Sequence, residues 1–254
     1  MKRLIWLVIL CLLVSFVSAA PAERLDDTTL MTFYDDSAFF GDSRMESFRR
    51  YIAGIRETDP TFLKKARIVC AGSISLYSAS RNYLCGEFHF YYAGVEMTMY
   101  EAVKRFKPKR AFILLGLNDP VGIKVDKAIG WVEDIFRKME EMGPDTAVYF
   151  LSETPVTIQY EIKRDREGYQ LSLDEYNEKL KKTCEENGGF YIELAEALKD
   201  ENNFLREECS SDNICHLSDE GNAVLIQVLK DYAQEQYDQG MWDPFAEEAE
   251  NEGK

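Results

Sequence analysis

Strand-like and helix-like segments alternate along this chain, the strand-like ones are continuous apolar runs, and no internal repeat breaks the series. These observations predict an α/β domain with five parallel strands in one sheet, sandwiched between two helical layers. A strand that is apolar on both faces has to be covered on both. The 254 residues, 46% of them hydrophobic, can bury one substantial core, and nothing in them requires a second.

SAFFG at 37–41 is the first strand, followed by a helix in which Met45, Phe48, Ile52 and Ile55 recur at spacings of three and four. ARIVCAG at 66–72 is the second strand; after an aromatic-rich loop, Val95, Met99, Val103 and Phe106 mark the second helix. RAFILLG at 110–116 is the third. The helix after it has the clearest apolar stripe, from Val125 through Val132 and Ile135 to Met142, and Gly143 and Pro144 end it. AVYFLS at 147–152 is the fourth strand. The polar stretch from Thr154 to Leu171 is long enough to be a lid, after which Ser172 and Glu175 have capping-box spacing for a helix carrying Tyr176, Leu180 and Cys184. FYIEL at 190–194 is the fifth strand, and Val224, Leu225, Val228, Leu229 and Tyr232 line the last helix.

The flanks differ from this body. Lys2 and Arg3, the apolar run Leu4 to Val17 and the small residues up to Ala20 have the form of a secretory signal peptide cleaved after Ala19. The run is shorter than the ~20 residues of a membrane span; retention of the segment would instead put the protein at the cell surface. Residues 20–35 are expected to be a linker, 36–237 the domain, and 238–254 an acidic, disordered tail. Loss of residues 1–19 takes the net charge from −15 to −17. So acidic a body has no basic stripe for phosphates, which argues against nucleic acid, and no stable membrane insertion is expected after cleavage.

Five cysteines remain after the leader. Cys209 with Cys215, and Cys70 with Cys85, are candidate disulfides in an exported protein, and burial as free thiols is as good a reading for the second pair. No CxxC occurs and the two histidines are far apart, so no metal site or other cofactor is expected.

The residues that carry chemistry fall at strand ends, where function gathers in such sheets. Ser43 lies at a strand-to-helix junction, where helix N–H groups favour a developing negative charge, and is the candidate nucleophile. Taken alone, GDS is equally an ordinary turn with Ser43 as N-cap. Asp42 is expected to cap locally. Gly72 lets a backbone N–H approach an oxyanion, and Asn118 offers a side-chain amide for the same purpose; each also has a plain turn-forming role. Of the two histidines, His216 is the better base, four residues after Asp212 and at the entry to the last helix. His89, with Glu87 as its acidic neighbour, is assigned to a surface or groove. The aromatics from Tyr77 to Tyr92 are taken as core packing ahead of sugar stacking.

In this order the segments GDSR at 41–44, AGS at 71–73, GLND at 116–119 and DNICH at 212–216 resemble the motif blocks of the SGNH or GDSL hydrolases, over about Asp36 to Tyr237. The resemblance implies a flavodoxin-like three-layer α/β/α fold and serine esterase chemistry. In it Ser43 is the nucleophile, His216 the base, Asp212 its partner, and Ser43, Gly72 and Asn118 form the oxyanion hole. Two departures stand out. Arg44 replaces the family leucine, a change expected to touch packing or substrate contact. The family's DxxH is lengthened here, so that Asn213, and not Asp212, stands three before His216. The expected activity is removal of a short acyl group, acetyl, from a carbohydrate or similar small ester, with activity rising with pH as a histidine base loses its proton. Acyl transfer to a sugar, or a non-catalytic carbohydrate-binding scaffold, are the rivals.

Overall fold

The computed structural model describes residues 24–119, 124–142 and 145–246. The expected leader, the helix stop at Gly143 and Pro144, and the tail beyond 246 lie outside them. One sheet of seven strands runs β4-β3-β2-β1-β5-β6-β7, with β1 Ser37–Gly41, β2 Arg67–Cys70, β3 Phe90–Tyr92, β4 Val95–Met97, β5 Arg110–Leu114, β6 Ala147–Leu151 and β7 Phe190–Ile192. The five expected strands are all present and parallel, in the order β2-β1-β5-β6-β7, which is the flavodoxin-like order.

The sheet exceeds the expected five strands by an antiparallel hairpin on its β2 edge, where Tyr91 pairs with Cys70. Its strands of three residues are too short to show a period. Its two-residue turn, with positive φ at both Ala93 and Gly94, lacks the Asn-Gly or Asp-Gly that announces such turns. Val95 therefore belongs to β4, and the next helix starts at Met99 behind a capping box of Thr98 and Glu101.

The helices are α1 Asp27–Met31, α2 Ser43–Ile55, α3 Leu76–Ala79, α4 Met99–Phe106, α5 Val125–Met142, α6 Ile158–Arg164, α7 Tyr169–Glu186, α8 Ala195–Leu198 and α9 Asp219–Asp238. On one face α3, α4, α5 and α7 bury Phe40, Val69 and Ile113; on the other α1, α2, α8 and α9 bury Phe39, Phe112 and Tyr149. Along that second face Phe39, Phe112, Tyr149 and Phe190 occupy paired register positions, with ring centroids 4.7, 4.7 and 4.5 Å apart in sequence, the outer two pairs stacked and the middle one tilted. Such cross-strand rows stabilise a sheet beyond the area they bury.

Four expectations need correction. The supposed linker is built into the core: Leu30, Met31, Phe33 and Tyr34 are buried, and the Tyr34 hydroxyl donates to Leu229 O at 2.6 Å. The start of the supposed tail is also tied down, since the Trp242 ring meets Phe33 edge-on at 5.2 Å. The stretch 154–171 is no bare loop. It contains α6 and the start of α7, with Tyr160 stacked on Tyr169 at 4.7 Å, so Ser172 lies inside α7 and Glu175 pairs with Lys179 and caps nothing. Finally, the candidate Cys209–Cys215 disulfide is not formed: both are free thiols and sit in different apolar clusters, while for Cys70 and Cys85 the free-thiol reading is the one observed, as it is for Cys184. Among the described residues no helix is long and apolar enough to cross a membrane.

Candidate active site

Gly41 pairs with Cys70 on one side and Leu114 on the other, so the loops that follow β1, β2 and β5 leave the sheet side by side. They carry Ser43, Gly72 and Asn118 at the point where the chain reverses its direction across the sheet, the usual ligand crevice of this topology. Gly41 is required there, because a Cβ would lie 2.6 Å from Met45 Cβ. Ser43 is the first residue of α2, behind the N-cap Asp42, whose Oδ1 accepts from Arg44 N at 2.9 Å. The Ser43 backbone N–H is thus among the donors that a helix start leaves without an intrahelical acceptor.

The His216 segment is fastened to the same helix. Ser47 Oγ of α2 donates to Leu217 O at 2.9 Å and accepts from Asn222 Nδ2 of α9 at 3.1 Å. The result is a continuous line: His216 Nε2 lies 2.9 Å from Ser43 Oγ, and His216 Nδ1 lies 2.6 Å from Asp212 Oδ2. Asp212 Oδ1 accepts from the amides of Ile214, Cys215 and His216 at 2.9, 3.0 and 3.2 Å. Partial burial works to raise the Asp212 carboxyl, but the His216 ring and these amides outweigh it and hold it at about 2. The lengthened spacing is absorbed at Asn213, which takes φ +54, a left-handed conformation that asparagine tolerates. Its side chain is exposed and its carbonyl accepts from Thr157 Oγ1 at 2.9 Å, so the acid beside His216 is Asp212.

Asn118 is anchored by two bonds from its side-chain amide. Its Nδ2 donates to Asp42 Oδ2 at 2.8 Å and to Ile74 O at 3.3 Å. The second bond is long, and it is the hydrogen that a stronger acceptor would take. Gly72 faces Glu46 of α2, whose Oε2 would lie 3.4 Å from an added Cβ. Asp119 accepts from the amides of Leu76 and Tyr77 and so holds the start of α3; its carboxyl is raised to about 6, chiefly by burial.

Asp42 does more than cap. It is fully buried with Arg44, which returns to it through Nε at 3.0 Å and Nη2 at 2.6 Å. The other edge of the guanidinium meets Glu153, Nη1 to Oε2 at 2.5 Å and Nη2 to Oε1 at 3.2 Å. Arg44 is therefore enclosed between two acids and presents no surface to the site. Burial raises the Glu153 carboxyl to about 7 against the pull of Arg44. Glu153 also explains the glycine of GLND: Gly116 has φ +154, and a Cβ there would lie 2.9 Å from Glu153 Cγ. Sequence reasoning missed Glu153. Its one signal was an arginine in a position that is otherwise apolar, a residue that needs an acid once buried.

His89 has a partner the sequence did not suggest. Its Nδ1 bonds Glu96 Oε1 across the β3–β4 hairpin, and Tyr91 OH donates to the same oxygen at 3.1 Å. The surrounding aromatics divide: Phe90 packs in the core, whereas Tyr83, Phe88 and Tyr91 are exposed. Asp212, Cys215 and His216 bring three possible metal donors within 4.8 Å of one another, but two of them engage each other and burial raises the Cys215 thiol to about 11.

A serine, a histidine and an aspartate joined in one line at the carboxyl edge of a sheet in this order mark a hydrolase of the three-layer α/β/α class. Residues 89–224 match the model of the GDSL-like lipase/acylhydrolase family, and the chain belongs to that family. The match spans GLND and DNICH, while GDSR lies before it. Among solved structures, a GDSL-like lipase from Bacteroides thetaiotaomicron is similar at TM-score 0.60 and 14% identity, over 78% of this chain and 87% of that one. The acetyl xylan esterase AlAXEase is similar at TM-score 0.54 and 17% identity, over 76% and 97%. A variant of an acetyl xylan esterase from Geobacillus stearothermophilus is similar at TM-score 0.54 and 14% identity, over 78% and 93%. No curated protein matches the chain.

Proposed function

We propose that this protein is an exported serine esterase that removes an acetyl group from a carbohydrate or similar neutral ester through an acyl-enzyme. The observation that carries the reading is the Ser43–His216–Asp212 line at 2.9 and 2.6 Å. His216 Nε2 takes the Ser43 proton as Oγ attacks the carbonyl carbon, and the carbonyl oxygen becomes negative among the N–H groups of Ser43 and Gly72 and the Asn118 amide. The imidazolium, balanced by Asp212, returns the proton to the departing alcohol. Water activated by the same nitrogen then releases acetate. None of these steps calls on a metal, and activity should survive chelation. The likeness to acetyl xylan esterases supports the choice of acetyl and of a sugar alcohol.

The test is hydrolysis of a chromogenic acetate ester and acetate release from an acetylated oligosaccharide. Ser43→Ala should lower kcat by about 10⁶-fold, and equal rates for the two proteins would remove Ser43 as nucleophile. Acetyl transfer to an added glycan in excess of hydrolysis would make the enzyme a transferase.

A further inference from the structure

We propose that Glu153 is a positioning residue for this site, holding the Asn118 amide toward the reacting oxygen through Arg44 and Asp42. The inference rests on the esterase reading above. Asn118 can donate to an oxyanion only if its amide nitrogen, and not its carbonyl, is turned to the site. The group that decides this is Asp42. An ionised carboxylate only accepts, so it selects Nδ2 of Asn118; a protonated one would also donate and tolerate the flipped amide. Asp42 accepts four bonds, three from Arg44 and one from Asn118, and a carboxylate with no exposed surface stays charged only beside a cation.

Arg44 supplies that cation, and Glu153 fixes where it stands. A guanidinium is a rigid planar fork; clamped along one edge by Asp42 and along the other by Glu153, it has no remaining freedom to turn. Glu153 is itself held on both backbone sides by Asn177 of α7, which accepts from Glu153 N at 2.7 Å and donates to Glu153 O at 2.9 Å. The line Asn177, Glu153, Arg44, Asp42, Asn118 therefore runs through the interior from α7 to the loop after β5. It exists because residue 44 is an arginine, where the family pattern has a leucine.

The experiment is a double-mutant cycle on kcat and KM for the acetate ester. Glu153→Gln should lower kcat about 10-fold and leave KM within about twofold, because the oxyanion contact forms only in the transition state. In an Asn118→Ala background the same change should cost less than about twofold. An unchanged kcat for Glu153→Gln, or an equal loss with and without Asn118, would overturn the proposal, the second showing a general structural role. Glu153→Asp, which keeps the charge, should recover part of the loss. A second readout needs no substrate: the side-chain amide resonances of Asn118, assigned from Asn118→Ala, should shift in Glu153→Gln, and unmoved resonances would refute the link. If wild type and Ser43→Ala hydrolyse equally, the esterase reading fails, while the resonance shift still decides whether Glu153 orients Asn118.

Discussion

Asp42, Ser43 and Arg44 are consecutive, yet they belong to two different media. Ser43 looks outward to His216 and Asp212, whose side chains are 42% and 34% exposed, while Asp42 and Arg44 turn inward to Glu153 and are fully buried. A strand-to-helix turn produces this division, because neighbours at such a turn point apart. The groups proposed to react stay where substrate and water could reach them and are held by hydrogen bonds from a short loop. The supporting charges are sealed off, where attraction between them is little screened and an unmatched charge is costly.

The largest effect should come from breaking the exposed line. Asp212→Asn removes the acceptor that fixes the proton on His216 Nδ1, and the corresponding change in a serine protease lowers turnover about 10⁴-fold. The three amides that now converge on Oδ1 keep an oxygen to bind, but the charge that holds this carboxyl at about 2 is lost, so the thermal unfolding midpoint at neutral pH should fall by a few degrees. A loss below about 10-fold, measured as kcat on the acetate ester, would mean that Asp212 does not serve as the acid of this site.

Next in size is the buried cluster. Arg44→Leu restores the family residue but leaves Asp42 and Glu153 facing each other with no cation, and breaking a buried pair in this way costs about 3–5 kcal/mol. The loss, read by denaturant unfolding, should be greatest near pH 8 and smaller near pH 5, where Glu153 takes up a proton. A variant as stable as wild type at pH 8 would show that the cluster contributes only orientation.

The two regions also differ in how far the sequence revealed them. GDSR, GLND and DNICH are recognisable locally, the first two directly after strands and the third at the entry to α9, so Ser43, Asn118, Asp212 and His216 could be put forward together. The choice between Asp212 and Asn213 could not, because it depends on one backbone torsion at residue 213. Glu153 lies 109 residues from Arg44, and nothing in the run AVYFLSE distinguishes it from a surface acid at a strand end. Residues 25–34 were misjudged for a related reason: helices of three to five residues show no period, and only the packing of Tyr34 and Phe33 against α9 and Trp242 makes them part of the body.

The smallest effect contrasts two aspartates of opposite sign. Asp212 is held at about 2, below its unfolded value of about 3.9, so its contribution to stability is complete above about pH 4 and is lost as pH falls through 2. Asp119, raised to about 6 by burial without a cation beside it, behaves in reverse: its contribution is complete below about pH 4 and is lost as pH rises through 6. Asp119→Asn should therefore flatten the change in stability between pH 4.5 and 7.5 by on the order of 2 kcal/mol. Its offset at pH 4.5 is set mainly by the amide bonds to Leu76 and Tyr77. Thermal unfolding of wild type and variant at both pH values separates the two contributions. Parallel profiles would mean that Asp119 stays ionised in the interior, held by those two backbone donors as firmly as Asp212 is held by its three.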